Sequence, residues 1–543
     1  MASSDFSAPR RLREAWLWIG AGVIALALLL VFGILSLIAT RGLGHFWPDD
    51  LWEMELAPAA GGPSAVLAVV ADEEARLDAG GVLRERLLLR SGNRDLAPPE
   101  FFWVDASDVR ARNRPDDAVM VERRARGNAH GYIESLLQGE DTLVRGADAW
   151  ALAQKLLADV HVKRETLAAE RRTRIAALAR ASNDAQQRLR RAQADSVAPN
   201  DAEARMAEAD AARRAYRTAE AEMRAREAEL ARTALELRLA DGAVHRLPLV
   251  EIERLWRPNE MGTGARLAFQ VSSIAAFLSE SPREGNTEGG IYPAIVGTVV
   301  LVLLMAVMVA PLGVLCAIYL HEYARPGPGV RLLRIAVNNL AGVPSIVYGV
   351  FGLGFLVYVL GGSLDALFFA DELPSPTFGT PGLLWAALTL ALLTMPVVIV
   401  STEEGLARIP RDVREGSLAL GATRSETLRN VILPSAAPAI LTGVILAVAR
   451  AAGEVAPLML VGVVKLAPRL PIDGDPPFLH LDRQFMHLGF HIYDVGFQSP
   501  NVEAARPVVF ATALLLVLVI VALNLMAIVL RNRLHRRYGA FDV

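Results

Sequence analysis

The chain has 543 residues, 56 basic and 59 acidic, and is 53% hydrophobic, enough for three or four domains at roughly 150 residues each. A formal charge of −3 offers no global field for nucleic acid. The single cysteine, Cys316, excludes an intramolecular disulfide, and no lysine follows a glycine, which excludes a phosphate-binding loop ending Gly-Lys-Ser/Thr.

The charge is unevenly divided. Residues 41–290 hold 77 of the 115 charged side chains, whereas the 253 residues after them hold 33. The first block reads as water-exposed and the second as membrane-embedded, so a plain cytosolic enzyme is excluded.

In chain order, the first predicted span runs from about Trp16 to Ile38. Arg10, Arg11 and Arg13 precede it as in a signal peptide. Its apolar run exceeds the roughly 7–15 residues of a cleaved signal, so a retained anchor is expected. From 64 to 148, short apolar runs such as Ser64–Val70 and Glu100–Val104 alternate with Gly, Pro and Asp, which predicts strands and turns.

From about 150 to 240 the pattern becomes helical. Leu156, Leu167, Leu178 and Leu189 recur every eleven residues; Ala209, Tyr216, Met223, Leu230 and Leu237 recur every seven. Ser196-Val197-Ala198-Pro199-Asn200-Asp201 lies between them with a helix stop and a cap. An antiparallel coiled-coil hairpin with arms of roughly 60 Å is predicted. Strand-like alternation then covers Leu237 to Trp256, with a turn at Asp241-Gly242. The whole 41–290 segment reads as an inserted α+β domain, its hairpin either a solvated surface or a docking arm. It carries no Ser/His/Asp or zinc-binding spacing.

Five further spans are predicted at Ile291–Leu320, within Ile335–Leu360, within Pro381–Ser401, within Ala436–Val464 and within Pro507–Leu530, each offering about 20 apolar residues. Arginines precede the first span, and Arg531, Arg533, Arg536 and Arg537 follow the last. Both termini are therefore expected in the cytoplasm, with loops 321–334 and 402–434. The segments 41–290, 365–380 and 465–506 are expected outside.

Between the fourth and fifth spans, Glu403 to Pro434 is too amphipathic to be a mere linker. Leu418, Leu420, Leu428, Val431 and Leu433 predict two short helices around Gly421 and Ala422, where glycine would permit a tight turn. A short surface helix of this kind can enter a groove on a partner.

Glu415-Gly416-Ser417, three residues, Gly421, nine residues, Val431-Ile432-Leu433-Pro434 resembles the cytoplasmic loop of ABC importer permeases, usually E-A-A-x3-G-x9-I-x-L-P. Gly416 and Ser417 replace two alanines but stay small. EGGIYPAIVGT at 288–298, PLGVLCAIYLHEYA at 311–324, LAGVPSIVYGVFGLG at 340–354 and RAAGEVAPLMLVG at 450–462 are similar to the PstA-type permeases of phosphate importers. The resemblance covers about 285–530 well, the first span loosely and 41–285 not at all.

That resemblance implies a mainly α-helical polytopic membrane protein with six transmembrane helices, the type I ABC importer permease fold, in a bacterial inner membrane. It implies a transport subunit surrounded by lipid, with a homologous PstC-like permease, two PstB-like ATPase subunits and a PstS-like phosphate-binding protein as partners, and no nucleic acid. ATP and magnesium would sit on the ATPase, leaving no cofactor or metal on this chain. Arg414, Glu415, Gly421, Ala422, Leu433 and Pro434 would form the ATPase-coupling loop within 403–434. Residues 531–543 would be a cytoplasmic tail.

Arg450 and Glu454 lie four residues apart in the fifth predicted span, on one helix face. Ionisable groups at that depth are costly unless paired or facing a polar cavity. They are either a structural ion pair or a substrate site. In the second case Arg450 attracts phosphate and Glu454 accepts a hydrogen bond from a protonated phosphate, which sulfate cannot offer.

Glu403 is a further pathway candidate. Relatives resemble I-R-T-T-E where this chain has Ile399-Val400-Ser401-Thr402-Glu403, and the missing arginine keeps another oxyanion in view as the cargo. Gly342, Pro344 and Gly349 interrupt the third predicted span, for close packing or as a hinge. The alternative of a different class is a membrane-anchored structural or sensory adaptor acting through its external coiled coil.

Overall fold

The computed structural model describes residues 8–57, 64–77, 83–97, 99–194, 199–370, 376–499 and 502–538. The chain forms two compact units: Pro48–Gln270, and Met1–Trp47 together with Val271–Val543. The divisions thus fall at 47/48 and 270/271 rather than 40/41 and 290/291. The shift has a packing cause, since Phe277 is buried in one cluster with Phe46, Ile291 and Val508.

In the 48–270 unit, β1 (Trp52–Leu56), β2 (Ala65–Leu77), β3 (Leu83–Arg90), β4 (Phe101–Asp105) and β5 (Val109–Asn113) form one antiparallel sheet in the order β4-β3-β2-β1-β5. A second sheet holds β6 (Val119–Arg123), β7 (Ala129–Gln138), β8 (Asp141–Arg145), β9 (Thr233–Arg238), β10 (Val244–Pro248) and β11 (Ile252–Trp256). Its order is β10-β9-β7-β6-β11, with β8 also paired to β7. Alternation along β6 separates the layers. Val119 and Val121 pack with Ala153 and Leu157 of the helix that begins at Ala147, while Met120 packs with Leu67 and Val69 of β2. Helix, sheet and sheet make three layers.

From this base the helix Ala147–Glu170 continues through a π turn, Arg171–Ile175, into Ala176–Ala194. The helix Pro199–Leu230 returns. Ion pairs Arg171–Glu227, Arg174–Glu222 and Arg188–Glu208, each 3.2 Å, set the arms antiparallel. At 1.5 Å per residue the outgoing and returning arms are about 72 Å and 48 Å long. Ser182 and Ala185 on one arm and Ala219 and Met223 on the other are buried at the seam.

The return arm ends at Leu230, earlier than the expected 240. Leu237, the last member of the sevenfold repeat, sits in β9 and is buried in the sheet–helix core. Pairing with β7 and β10 overrides the heptad there. The expected stop at Ser196–Ala198 lies outside the described residues, and Pro199 opens the return helix.

His130 on β7 is fully enclosed. Burial, then the charge of Arg90, push its imidazole down to about 3, against the hydrogen bond from its ring to Leu67 O; Arg123 adds to the depression. Its folded pKa lies below the unfolded value of about 6.5, so the unfolded chain binds the extra proton. The stabilisation is complete above about pH 6.5 and is lost as the pH falls toward 3. Hydrogen exchange of β6 and β7, corrected for intrinsic rates, should show protection falling across that window. A flat profile would remove His130 as the cause.

In the other unit, six helices among the described residues are long and apolar enough to cross a bilayer: Trp16–Gly44, Tyr292–Tyr323, Ser345–Phe368, Leu383–Ala407, Arg424–Gly453 and Val502–Arg533. The fourth is the most enclosed. Its Leu390, Leu393 and Val398 pack with Leu301, Met305 and Val309 of the second span and Ala447, Val448 and Ala451 of the fifth. In lipid such contacts rest on close packing of small and apolar groups rather than on exclusion of water.

Two spans differ from expectation. The stretch from Ile335 belongs to an amphipathic helix, Pro328–Leu340, and the third span begins only at Ser345. Gly342 and Pro344 therefore stand before that span and do not interrupt it. Proline disfavours helical backbone in the residue before it, which separates the two helices at this point. The fifth span starts at Arg424 and stops at Gly453, because Glu454 is extended (φ −79°, ψ 132°) and a separate short helix, Leu458–Val461, follows Pro457.

The expected 465–506 loop also folds back on the spans. Val464 N donates to Phe485 O, and the helix Leu488–Tyr493 buries His487 and His491. Burial pushes both imidazoles down to about 4.

Candidate functional site

The most exposed feature of the 403–434 stretch is a turn between two helices. The helix Arg411–Ala419 ends where Ala422 N donates to Ser417 O and Gly421 N to Leu418 O, the paired bonds of a Schellman cap. Gly421 takes φ +90° there, with open space around it, so glycine is required by the backbone and not by crowding. The next helix, Arg424–Thr427, is opened by a capping box between Thr423 and Glu426. Ser417 Oγ lies 2.9 Å from Thr427 Oγ1 and closes the turn.

This geometry pushes one apolar side chain outward. Leu420 is 91% exposed, and Glu415 is exposed on the helix before it, whereas Ala422, Leu433 and Pro434 are half-buried. Arg414 points the other way. Its Nη2 donates to Leu406 O at 2.7 Å and stands 3.1 Å from Glu322 Oε1. Of the six expected coupling residues, Glu415 and Gly421 lie on the outer surface, while Arg414 anchors the helix to its own spans.

Glu403, near the end of the fourth span, stands 3.6 Å from Arg334 Nη2 of the helix Pro328–Leu340. That arginine also donates to Leu320 O at 3.1 Å. The missing arginine at position 400 thus has a cation from another helix beside the same carboxylate.

Arg450 and Glu454 do meet, with Arg450 Nε 3.5 Å from Glu454 Oε1, but not on one helix. Glu454 is the residue that ends the fifth span, so the contact crosses a helix terminus. Neither side chain is fully covered by this chain, at 35% and 20% exposure. Tyr348, in the third span, donates its hydroxyl to Leu340 O at 2.7 Å. Gly349, beside it, is a close-packing position: a Cβ there would lie 2.7 Å from Pro457 Cα and 2.9 Å from Pro457 O.

The family described as the inner membrane component of binding-protein-dependent transport systems matches residues 309–539. A probable phosphate transport system permease protein PstA of Methanocaldococcus jannaschii is 33% identical over 241 residues, covering 44% of this chain and 74% of that protein. The chain belongs to the binding-protein-dependent permease family. It is a multi-pass membrane protein and an ABC transporter permease subunit of the type-1 class.

This permease is also similar to the probable ABC transporter permease protein YqgH of Bacillus subtilis, at 36% identity over 39% of this chain and 67% of that one. The phosphate transport system permease protein PstA of Mycobacterium leprae is 41% identical over 175 residues. The match spans 32% of this chain and about half, 52%, of that relative. Among solved structures, the MetNI methionine ABC transporter in inward-facing conformations matches 45% of this chain and 94% of its own at 21% identity and a TM-score of 0.32.

All the candidate residues fall inside the matched region of the permease. Ten of them form two groups, Arg414, Glu415, Gly421, Ala422, Leu433, Pro434 and Glu403 around the turn and the span ends next to it, and Arg450, Glu454 and Gly349 around the end of the fifth span, while Gly342 and Pro344 stand before the third span. Sequence reading missed Arg334, Glu322 and Tyr348. Arg334 carried a signal, since it is an arginine on an amphipathic stretch, but its partner is set by helix crossing alone.

Proposed function

We propose that this permease is a subunit of an ATP-driven importer of inorganic phosphate, paired with a homologous permease and coupled to a separate ATPase. The observation that carries the coupling is Leu420, held almost fully exposed by the Gly421 turn. An apolar side chain at the tip of a rigid, capped turn suits a groove on a partner. The phosphate assignment is supported by the relatives named as PstA phosphate permeases.

On this reading the termini and the 403–434 loop face the cytoplasm of a bacterial cell, as the arginine distribution indicates. The 48–270 unit lies on the periplasmic side, where a solute-binding protein delivers phosphate. The hairpin, with seam residues three or four apart, is read as an antiparallel coiled coil. ATP binding closes the ATPase pair, the turn moves with it, and the spans expose Arg450 and Glu454 alternately to each side. Hydrolysis belongs to the ATPase and not to this chain.

A β-branched residue at φ +90° is strongly disfavoured, at a cost of about 1–3 kcal/mol. Gly421→Val should therefore distort the turn while leaving the spans in place. Radiolabelled phosphate uptake in phosphate-starved cells lacking this gene should be restored by the wild type. Gly421→Val, present equally in the membrane, should reach about a tenth of that uptake or less, the equivalent of roughly 1.4 kcal/mol. Equal rescue by both would reject the role of the turn. Failure of the wild type, with other importers removed, would move the substrate to another oxyanion.

A further inference from the structure

Two arginines lace the ends of the second and fourth spans in opposite senses. Arg334 donates to the Leu320 carbonyl of the second span and stands beside the Glu403 carboxylate of the fourth. Arg414 donates to the Leu406 carbonyl of the fourth span and stands beside the Glu322 carboxylate of the second. Each guanidinium thus takes a carbonyl from one span and a carboxylate from the other.

The arrangement answers a local electrostatic problem. Glu322 and Glu403 both sit near the C-terminal ends of their spans, where orphaned carbonyls and the helix dipole disfavour an anion. Each arginine donates to a carbonyl at the end of one span, Leu406 O also accepting from Ile409 N, and offsets the carboxylate of the other.

The two arginines also stand on informative elements. Arg414 is on the helix that leads into the Leu420 turn. Arg334 is on the helix Pro328–Leu340, whose last residue accepts the Tyr348 hydroxyl, and Gly349 next to that tyrosine packs against Pro457. A connected series of contacts therefore runs from the turn, through both span ends and Leu340, to Tyr348 and Gly349, and on to Pro457, three residues beyond the Arg450–Glu454 pair.

We infer that Arg334 and Arg414 are positioning residues that transmit movement of the Leu420 turn to the Arg450–Glu454 pair, by holding the second span, the fourth span and the helix Pro328–Leu340 as one body. This rests on the reading of the turn as the ATPase contact. Spatial connection alone does not establish coupling, so the response must be measured at both ends.

The test is hydrogen exchange on the full chain assembled with its permease and ATPase partners, with and without ATP plus orthovanadate. In the wild type, trapping nucleotide should alter exchange at both 411–423 and 345–351. In Arg334→Gln and Arg414→Gln the response at 411–423 should persist while that at 345–351 falls about fivefold, the lower range of a typical coupling. Glu322→Gln and Glu403→Gln remove only the ionic half of each contact and should weaken the same response. If the arginine variants fail to assemble, these two decide the matter. An undiminished response at 345–351 in the assembled variants overturns the lacing. Silence at 411–423 in the wild type instead overturns the reading of the turn, and the lacing falls with it.

Discussion

Arg450→Gln is expected to lower phosphate uptake about a hundredfold, corresponding to some 3 kcal/mol for a lost charged contact to an anion. The assembled complex should remain intact. Arg450 and Glu454 are 3.5 Å apart, and neither side chain is fully covered by this chain. On the proposed function the charge of Arg450 serves a passing oxyanion and not only the fold. Uptake and membrane abundance should be measured together, alongside the double variant Arg450→Gln with Glu454→Gln. A merely structural pair predicts that the double variant regains uptake. A substrate contact predicts that it stays inactive.

Gly349→Leu is the second large effect. The new side chain would begin 2.7 Å from Pro457 Cα and 2.9 Å from Pro457 O, against backbone that cannot yield as a flexible side chain would. Overpacking of this kind costs about 1–3 kcal/mol, and relief would push the Glu454–Pro457 segment away from the third span. Thermal unfolding of the detergent-solubilised chain should shift to lower temperature, and phosphate uptake should fall with it. A hinge role for Gly349 predicts another pattern, in which the unfolding midpoint is unchanged and only transport drops.

Both predictions depend on where the chain bends, and the bends were the least legible part of the sequence. The first, second, fourth and sixth spans were found because a bilayer core demands about 20 apolar residues in a row. The third was placed too early. Ile335, Ala336, Val337 and Leu340 are as apolar as a span, and only packing shows that they belong to a helix with Arg334 on it. The fifth was carried too far, because Val455, Ala456 and Leu458–Val461 continue its apolar run beyond the break at Glu454.

The turn at Gly421 was legible for a different reason. Its glycine is dictated by a backbone angle, and its helices by local caps, so nothing distant is needed to form it. The β unit was legible as strands and turns, but the extent of its hairpin was not. The sevenfold repeat runs on through Leu237, and only the competing edges of β7 and β10 end the helix before it.

By itself the sequence determined the number of spans, the excess of charge in one half, the turn at Gly421 and the presence of an arginine and a glutamate near the end of the fifth span. These depend on composition, period and local backbone preference, which neighbours in the chain carry with them. Tertiary structure alone decided that Glu454 lies beyond its helix, that Gly349 packs on Pro457, and that Arg334 meets Glu403 while Arg414 meets Glu322. Those contacts arise where helices cross, and the distance between two crossing surfaces is not encoded in either one.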